Sequence, residues 1–268
     1  MDDIRDSSAM DSSDMTDASV VDAAIDTPID VNPQDTSGSI DESSFGDWNA
    51  FLPLATGSST PGEPGTTPDV SGHGYSATYG FGVSFSNSAL VLSESGDVTI
   101  SSHAYIPAID VAGSYSVSVW VRMNDTSGYR TFVSADGNEV SEFYLQKRDD
   151  TNRLAFALST SDSNDGVGQP CIASASSDPA AFVLYHLVAT RDATTGINTL
   201  YVNGVEAGTA TCLASTGVGW AASTFGIGHG KYNGKNTDYV SGSISALGLV
   251  GRVLTEAEVA ALYASGPG

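Results

Sequence analysis

The sequence predicts an all-β domain, an antiparallel two-sheet sandwich of the jelly-roll kind, over residues 45–268. Three observations predict it. About a dozen short segments alternate apolar and polar residues with period two, the signature of strands with one buried face. Gly, Asn, Asp and Ser separate these segments, and no helical pattern lies between them, which favours antiparallel layers over a parallel sheet. No internal repeat is visible, so a propeller or β-helix is not expected.

Residues 1–47 hold twelve Asp, one Glu and one Arg, and so carry 12 of the 22 formal negative charges. Their apolar residues are single and unspaced. Such a segment cannot bury enough surface to offset a backbone entropy of roughly 1–2 kcal/mol per residue. Residues 1–44 are therefore expected to form a disordered, acidic, Asp/Ser-rich tether. "GSSTPGEPGTTPD" (57–69) has the Pro and Gly content of a loop.

In "SYSVSVWVRM", Tyr115, Val117, Val119, Val121 and Met123 share one face, and Ser116, Ser118, Trp120 and Arg122 the other. Trp120 is expected to be covered by the N-terminal segment or the final helix, with an open stacking platform as the alternative. "EFYLQKR" and "RLAFAL" repeat the alternation, with Phe143, Leu145, Leu154, Phe156 and Leu158 inward. "FVLYHLVATR" is apolar on both faces and predicts a central, doubly covered strand that buries His186. Asn203-Gly204, between "NTLYV" and "VEAGTAT", is a type I′ pair and predicts a two-residue hairpin. Further strands are expected around residues 75–79, 83–85, 89–92, 97–100, 130–134, 224–228 and 242–250. At the C-terminus, Thr255 and Glu258 form a capping box, and Leu254 with Val259 a hydrophobic staple. The resulting helix is expected to clamp the sandwich edge.

Composition excludes some partners. The part after residue 47 has 19 acidic and 9 basic residues, with no basic stripe to neutralise phosphates, so nucleic acid is not expected. Apolar runs fall far short of the roughly 20 residues of a membrane-spanning helix. Asp2 and Asp3 follow Met1, unlike the basic start of a signal peptide. The Ser-, Thr-, Gly- and Tyr-rich, Lys-poor remainder nevertheless has an exported character. The expected location is extracellular or at the cell surface, with any signal or lipid anchor outside this sequence. Cys171 and Cys212, 41 positions apart, are then expected to form one disulfide, with two buried thiols as the alternative.

Several segments carry a family resemblance: "WNAFLPLATGSS", "PDVSGHGYSAT", "YSVSVWVRM", "YRTFVSADGNEVSEFYLQ", "YHLVATRDATTGINTLYVNGVEAG" and "FGIGHGKYNGKNTDYVSGSISALGLVGRVLTEAEV". Their content and order resemble laminin-G-like, concanavalin-A-like jelly-roll domains of secreted bacterial proteins, over residues 45–266. The resemblance implies the fold strongly and the activity weakly, because one sandwich serves lectins, adhesion modules and glucanases. It also implies a calcium option at Asp69, helped by carbonyls such as that of Gly74. Ser245 stands where the family has a second Asp, which weakens that site; Asp69 capping its own turn is the alternative.

Glucanases on this fold set paired carboxylates on one strand face. Glu139/Glu142 and Glu94/Asp97 lack that pattern and are expected to be solvated turn charges, so catalysis is not expected. "STSDSNDG" (159–166) does not fit a calcium loop and is expected to be a solvated loop. The four histidines are scattered without metal-like spacing. Sugar recognition needs exposed aromatic faces framed by amide and carboxylate groups. The richest run for it offers Trp220, Lys231, Tyr232, Asn233, Asp238 and Tyr239, with packing on the sandwich edge as the alternative. The expected function is a non-catalytic module binding a glycan or glycoconjugate. A structural or adhesion domain contacting surface proteins is the alternative, and a polysaccharide hydrolase ranks last.

Overall fold

The computed structural model describes residues 47–58, 65–80, 83–92, 98–100, 112–166, 171–222 and 224–267. The acidic tether, Glu94, Asp97 and His103 lie outside the described residues. The first strands are β1 Ala50–Leu52, β2 Gly65–Thr67, β3 Ala77–Tyr79, β4 Val83–Ser86, β5 Ala89–Leu92 and β6 Val98–Ile100. Next come β7 Tyr115–Met123, β8 Arg130–Asp136, β9 Ser141–Lys147, β10 Leu154–Leu158, β11 Ile172–Ser174 and β12 Leu184–Arg191. Then follow β13 Ile197–Val202, β14 Val205–Thr211, β15 Thr224–Ile227, β16 Gly230–Tyr232, β17 Lys235–Thr237 and β18 Gly242–Val250, before helix α1, Glu256–Ser265.

Two antiparallel sheets form the sandwich. The first runs β14-β13-β12-β7-β18-β5-β4, with β1 also on β18. The second runs β11-β10-β9-β8-β15-β6-β3-β2. Between them Val117, Val119, Val121 and Met123 of β7 meet Phe143 and Leu145 of β9 and Phe156 of β10, all fully buried. Each such side chain contributes about 1.5–3 kcal/mol by leaving water. Asn203 and Gly204, at φ 52° and 80°, turn β13 into β14 as the dipeptide predicts. Gly65–Thr67, within the segment expected to be a loop, instead pairs with Thr78 and its neighbours on β3 as an edge strand. Edge strands tolerate nearby proline because half of their backbone faces no partner.

The disulfide is present. Cys171, just before β11, is bonded to Cys212, just after β14, and so staples the matching edges of the two sheets.

The middle of the outer face of the first sheet is covered. Trp120, Val188, Tyr201, Ala246 and Val250 form a second apolar cluster with Trp48 and Phe51 and with Leu254, Val259 and Leu262. The helix thus covers a sheet face rather than clamping the sandwich edge, because its apolar side faces the Trp120 surface. Trp120 lies against His186 (ring centroids 4.9 Å) and stacks with Tyr263 at 5.7 Å. The capping box at Thr255 and Glu258 is formed. Arg252 bridges Glu258 to Asp47, tying the helix start to the opening segment. His186 is buried, with Nε2 2.9 Å from Ser118 Oγ, and burial lowers its pKa to about 4.

Glu142 departs from expectation. It lies inside β9 and is fully buried, whereas Glu139 is exposed at the turn. Ala135 pairs with Phe143 and Asp136 with Ser141, so Glu142 is the extra residue of a β-bulge. A bulge re-aims a side chain that strict alternation would send outward. Here it directs the carboxylate between the sheets. Glu142 Oε1 accepts from Gly219 N at 2.9 Å and lies 3.5 Å from Arg191 Nη1, while Tyr115 OH donates to Oε2 at 3.3 Å. Gly219, at φ 81°, is needed there because a Cβ would sit 2.4 Å from Arg191 Nη1.

Candidate functional site

The outer face of the second sheet is treated differently. Alternation along β9 turns Tyr144, Gln146 and the following Arg148 outward. Ala157 of β10 and Ser159, just after it, add the neighbouring floor. The β16–β17 hairpin lies over part of this face and leaves a cavity of about 350 Å³ beside it. Tyr129, Tyr144, Gln146, Arg148, Asn164, Tyr232, Thr237 and Asp238 supply its polar and aromatic lining. That volume is at the small end of ligand pockets, roughly 300–1,000 Å³.

The hairpin is tied down at several points. Tyr144 OH donates to Lys231 O at 2.6 Å and accepts from Ser141 N at 2.9 Å. Burial pushes this phenol up to about 12. Lys231 Nζ donates to Gly137 O at 2.9 Å. Thr131 N donates to Asp238 O at 2.8 Å, fixing the end of the hairpin on β8. At the rim, Asn164 Nδ2 donates to Asn233 Oδ1 and Asn233 N to Asn164 Oδ1, both at 3.1 Å. Beneath the hairpin, Ser141 Oγ donates to Asp136 Oδ1 at 2.6 Å, and His229 Nε2 lies 3.3 Å from Asp136 Oδ2. These groups are buried and hold the hairpin's base rather than facing the cavity.

Tyr232 is 48% exposed and offers a free ring face at the mouth. Arg148 is clasped by both oxygens of Asp150, and its guanidinium carbon lies 5.8 Å from the centre of the Tyr129 ring. Burial raises the Asp238 carboxyl above its usual range, with Thr237 and the charge of Arg130 opposing. Of the described lining residues, Asp238 is the one carboxylate. The chemistry on offer is aromatic stacking together with amide, hydroxyl and carboxylate hydrogen bonding.

Of the six residues expected from the sequence, Tyr232 and Asp238 line the cavity and Asn233 sits at its rim. Trp220, Lys231 and Tyr239 are placed elsewhere. Trp220 is half-buried, donates to Ser159 O at 3.1 Å and packs over Gly137. Lys231 is spent on Gly137, and Tyr239 packs near His229 at 6.1 Å between rings. Sequence reasoning missed Tyr129, Tyr144, Gln146, Arg148 and Asn164. The polar face of "EFYLQKR" was the available signal for three of them. Asp162, expected in a solvated loop, accepts from the backbone N–H groups of Asn138, Glu139 and Val140 at 2.8–3.0 Å and so organises the β8–β9 turn.

Asp69 does not fit a calcium ion. Its carboxylate already accepts from Phe51 N, Ser71 N, Ser71 Oγ and Tyr75 N, each at 2.9 Å. Burial pushes its pKa up, but these donors outweigh it and hold the carboxyl below its usual value. Four donors occupy the roughly four lone-pair sites of the carboxylate, as for an Asx residue capping its own turn. Ser245 is buried and brings no charge. Among the described residues, no group of three or more His, Cys, Asp or Glu converges to hold a metal.

The fold has clear relatives among solved structures. The binding domain of botulinum neurotoxin serotype C1 superposes with a TM-score of 0.61 at 17% identity, over 82% of this chain and 52% of that one. The binding domain of botulinum neurotoxin DC, solved in complex with rat synaptotagmin II, gives 0.59 at 14%, over 82% and 52%. A Trypanosoma rangeli sialidase in complex with sialic acid gives 0.55 at 14%, over 80% and 32%. The chain thus spans about half the length of the neurotoxin domains and a third of the sialidase. At such identities the likeness is one of fold. No curated protein matches the sequence. The laminin-G family model described as "Concanavalin A-like lectin/glucanases superfamily" matches residues 93–260, more than half of the chain. With two antiparallel sheets in sandwich order and that match, the chain belongs to the concanavalin A-like lectin/glucanase superfamily.

Proposed function

We propose that the domain is a non-catalytic, extracellular glycan-binding module, carried behind the acidic segment of residues 1–44, with its ligand in the cavity beside the β16–β17 hairpin. The observation that carries this reading is the exposed Tyr232 ring beside Gln146, Asn164 and Asp238 in one cavity lining. A sugar's C–H face stacks on an aromatic ring while its hydroxyls bond to amides and carboxylates. Glycosidic hydrolysis uses two carboxyl groups flanking the bond, and Asp238 has no described carboxylate partner in the lining. The Cys171–Cys212 disulfide supports an oxidising compartment. A glycan array followed by calorimetry tests the reading. Binding that Tyr232→Ala weakens about fivefold is expected, a stacked ring being worth on the order of 1 kcal/mol.

A second reading, an adhesion domain for a protein partner, is favoured by an exposed apolar run. Phe182 is 61% exposed, and Val183 and Leu184 follow it. Silence on the array at millimolar glycan, with a surface protein captured through Phe182, would select that reading.

A further inference from the structure

We propose that the cavity selects uncharged glycans and rejects anionic ones such as sialylated, sulfated or uronic sugars. This rests on the reading of the cavity as a glycan site and adds the class of sugar. Recognition of an anionic sugar relies on a cation free to make a forked or charge-assisted bond. Around this cavity the cations are already committed. Arg148 gives Nε and Nη2 to the two oxygens of Asp150, so that its charge is paired. Arg130 is bonded to Asp125 at 2.8 Å and to Tyr239 O at 3.1 Å. Lys231 donates to Gly137 O. Lys235 pairs across the hairpin with Tyr232 but stands exposed, where salt screening leaves a single charge little weight.

The remaining charge repels anions. Asp238 lies in the cavity wall, and the part of the chain after residue 47 holds 19 acidic against 9 basic residues. An acidic surface lowers the local concentration of anionic ligands as well as their affinity. The uncharged groups of the lining are Gln146, Asn164, Thr237 and the phenols of Tyr129 and Tyr232; Asn164 is held by Asn233, Thr237 by Asp238 and Tyr129 by Asp150, so Gln146 and Tyr232 lead the recognition. This is the inventory for hydroxyl-rich, uncharged rings.

The test is binding of lactose, cellobiose, mannotriose and N-acetyllactosamine beside 3′-sialyllactose, sulfated N-acetyllactosamine and oligogalacturonate at physiological salt. Binding of neutral members, with their anionic counterparts at least about tenfold weaker, supports the proposal. Anionic members binding as well as or better than neutral ones, and losing affinity with Tyr232→Ala, would overturn the selection and leave the glycan site standing. No binding by any member overturns both. Asp150→Asn, which releases Arg148, and Asp238→Asn, which removes the wall charge, keep the test open if either fails to fold. Each is expected to raise the 3′-sialyllactose to lactose affinity ratio severalfold. An unchanged ratio in both folded variants counts against the proposal.

Discussion

Replacing Glu142 with Gln tests the buried bulge directly. Burial of the carboxyl is the largest influence on it, opposed by Arg191, Gly219 N–H and Tyr115 OH, and the balance raises its pKa from an ordinary 4.5 to about 8. Between those values the folded state keeps a proton that the unfolded chain has lost. Stability therefore falls as pH rises, at up to about 1.4 kcal/mol per pH unit, and levels off above pH 8. From pH 5 to pH 8 the loss amounts to about 3–4 kcal/mol. Glutamine reproduces the neutral side chain, which can still accept from Gly219 N, and it cannot titrate. The two proteins should be close in stability at pH 5, and Glu142→Gln should be the more stable at pH 8.

Urea unfolding followed by tryptophan fluorescence at pH 5, 6, 7 and 8 measures this. The difference between wild type and variant cancels the other titrating groups, His186 included. A difference that stays flat across the range, or one that grows in favour of wild type as pH rises, would refute the reasoning. It would mean that Arg191 at 3.5 Å keeps Glu142 ionised in the folded state.

Other perturbations have defined outcomes. His186→Gln should remove an acid-side loss of stability. The folded pKa of about 4 lies below the ordinary 6.5, so His186 contributes fully above pH 6.5 and loses at most about 3 kcal/mol as pH falls to 4; identical acid limbs in variant and wild type would count against this. Replacing Cys171 and Cys212 with Ser should cost about 4 kcal/mol, from the 41-residue separation in the chain-entropy model, seen as a lower urea midpoint that reductant no longer changes. Leu262→Ala should cost about 2–4 kcal/mol by opening the helix-covered cluster around Trp120, with a matching change in tryptophan emission.

What the sequence made legible follows the range of the forces involved. Alternation in "SYSVSVWVRM", the Asn203-Gly204 pair and the Thr255–Glu258 box are local signals, and each has its structural counterpart. Cys171–Cys212 was legible because two cysteines permit one pairing. Glu142 was illegible for a definite reason: a one-residue bulge reverses the inside and outside of a strand, and period two cannot register it. The cavity was half legible. Tyr232 and Asp238 stand in one aromatic- and amide-rich run, but Tyr144, Gln146 and Arg148 reach the same place only because the hairpin folds over β9. Trp220 shows the opposite error, since an aromatic in a loop looks available until the backbone of Gly137 and Ser159 is found beneath it.

The location of the cavity follows from how the two outer faces are finished. On the first sheet, Trp48, Phe51 and α1 cover Trp120, and Gly248 lets the Trp48 ring lie so close that a Cβ there would approach it to 2.5 Å. Among the described residues, the middle of that face is a second core. On the second sheet the cover is the short β16–β17 hairpin, held by hydrogen bonds in which Tyr144 OH and Lys231 Nζ donate and the Asp238 carbonyl accepts. A cover of this size leaves a gap beside it, lined by polar and aromatic side chains. Preformed walls reduce the ordering cost of binding. The Asn164–Asn233 clasp at the rim therefore bears on affinity as well as on fold, because releasing it would let the hairpin carrying Tyr232 move away from its floor.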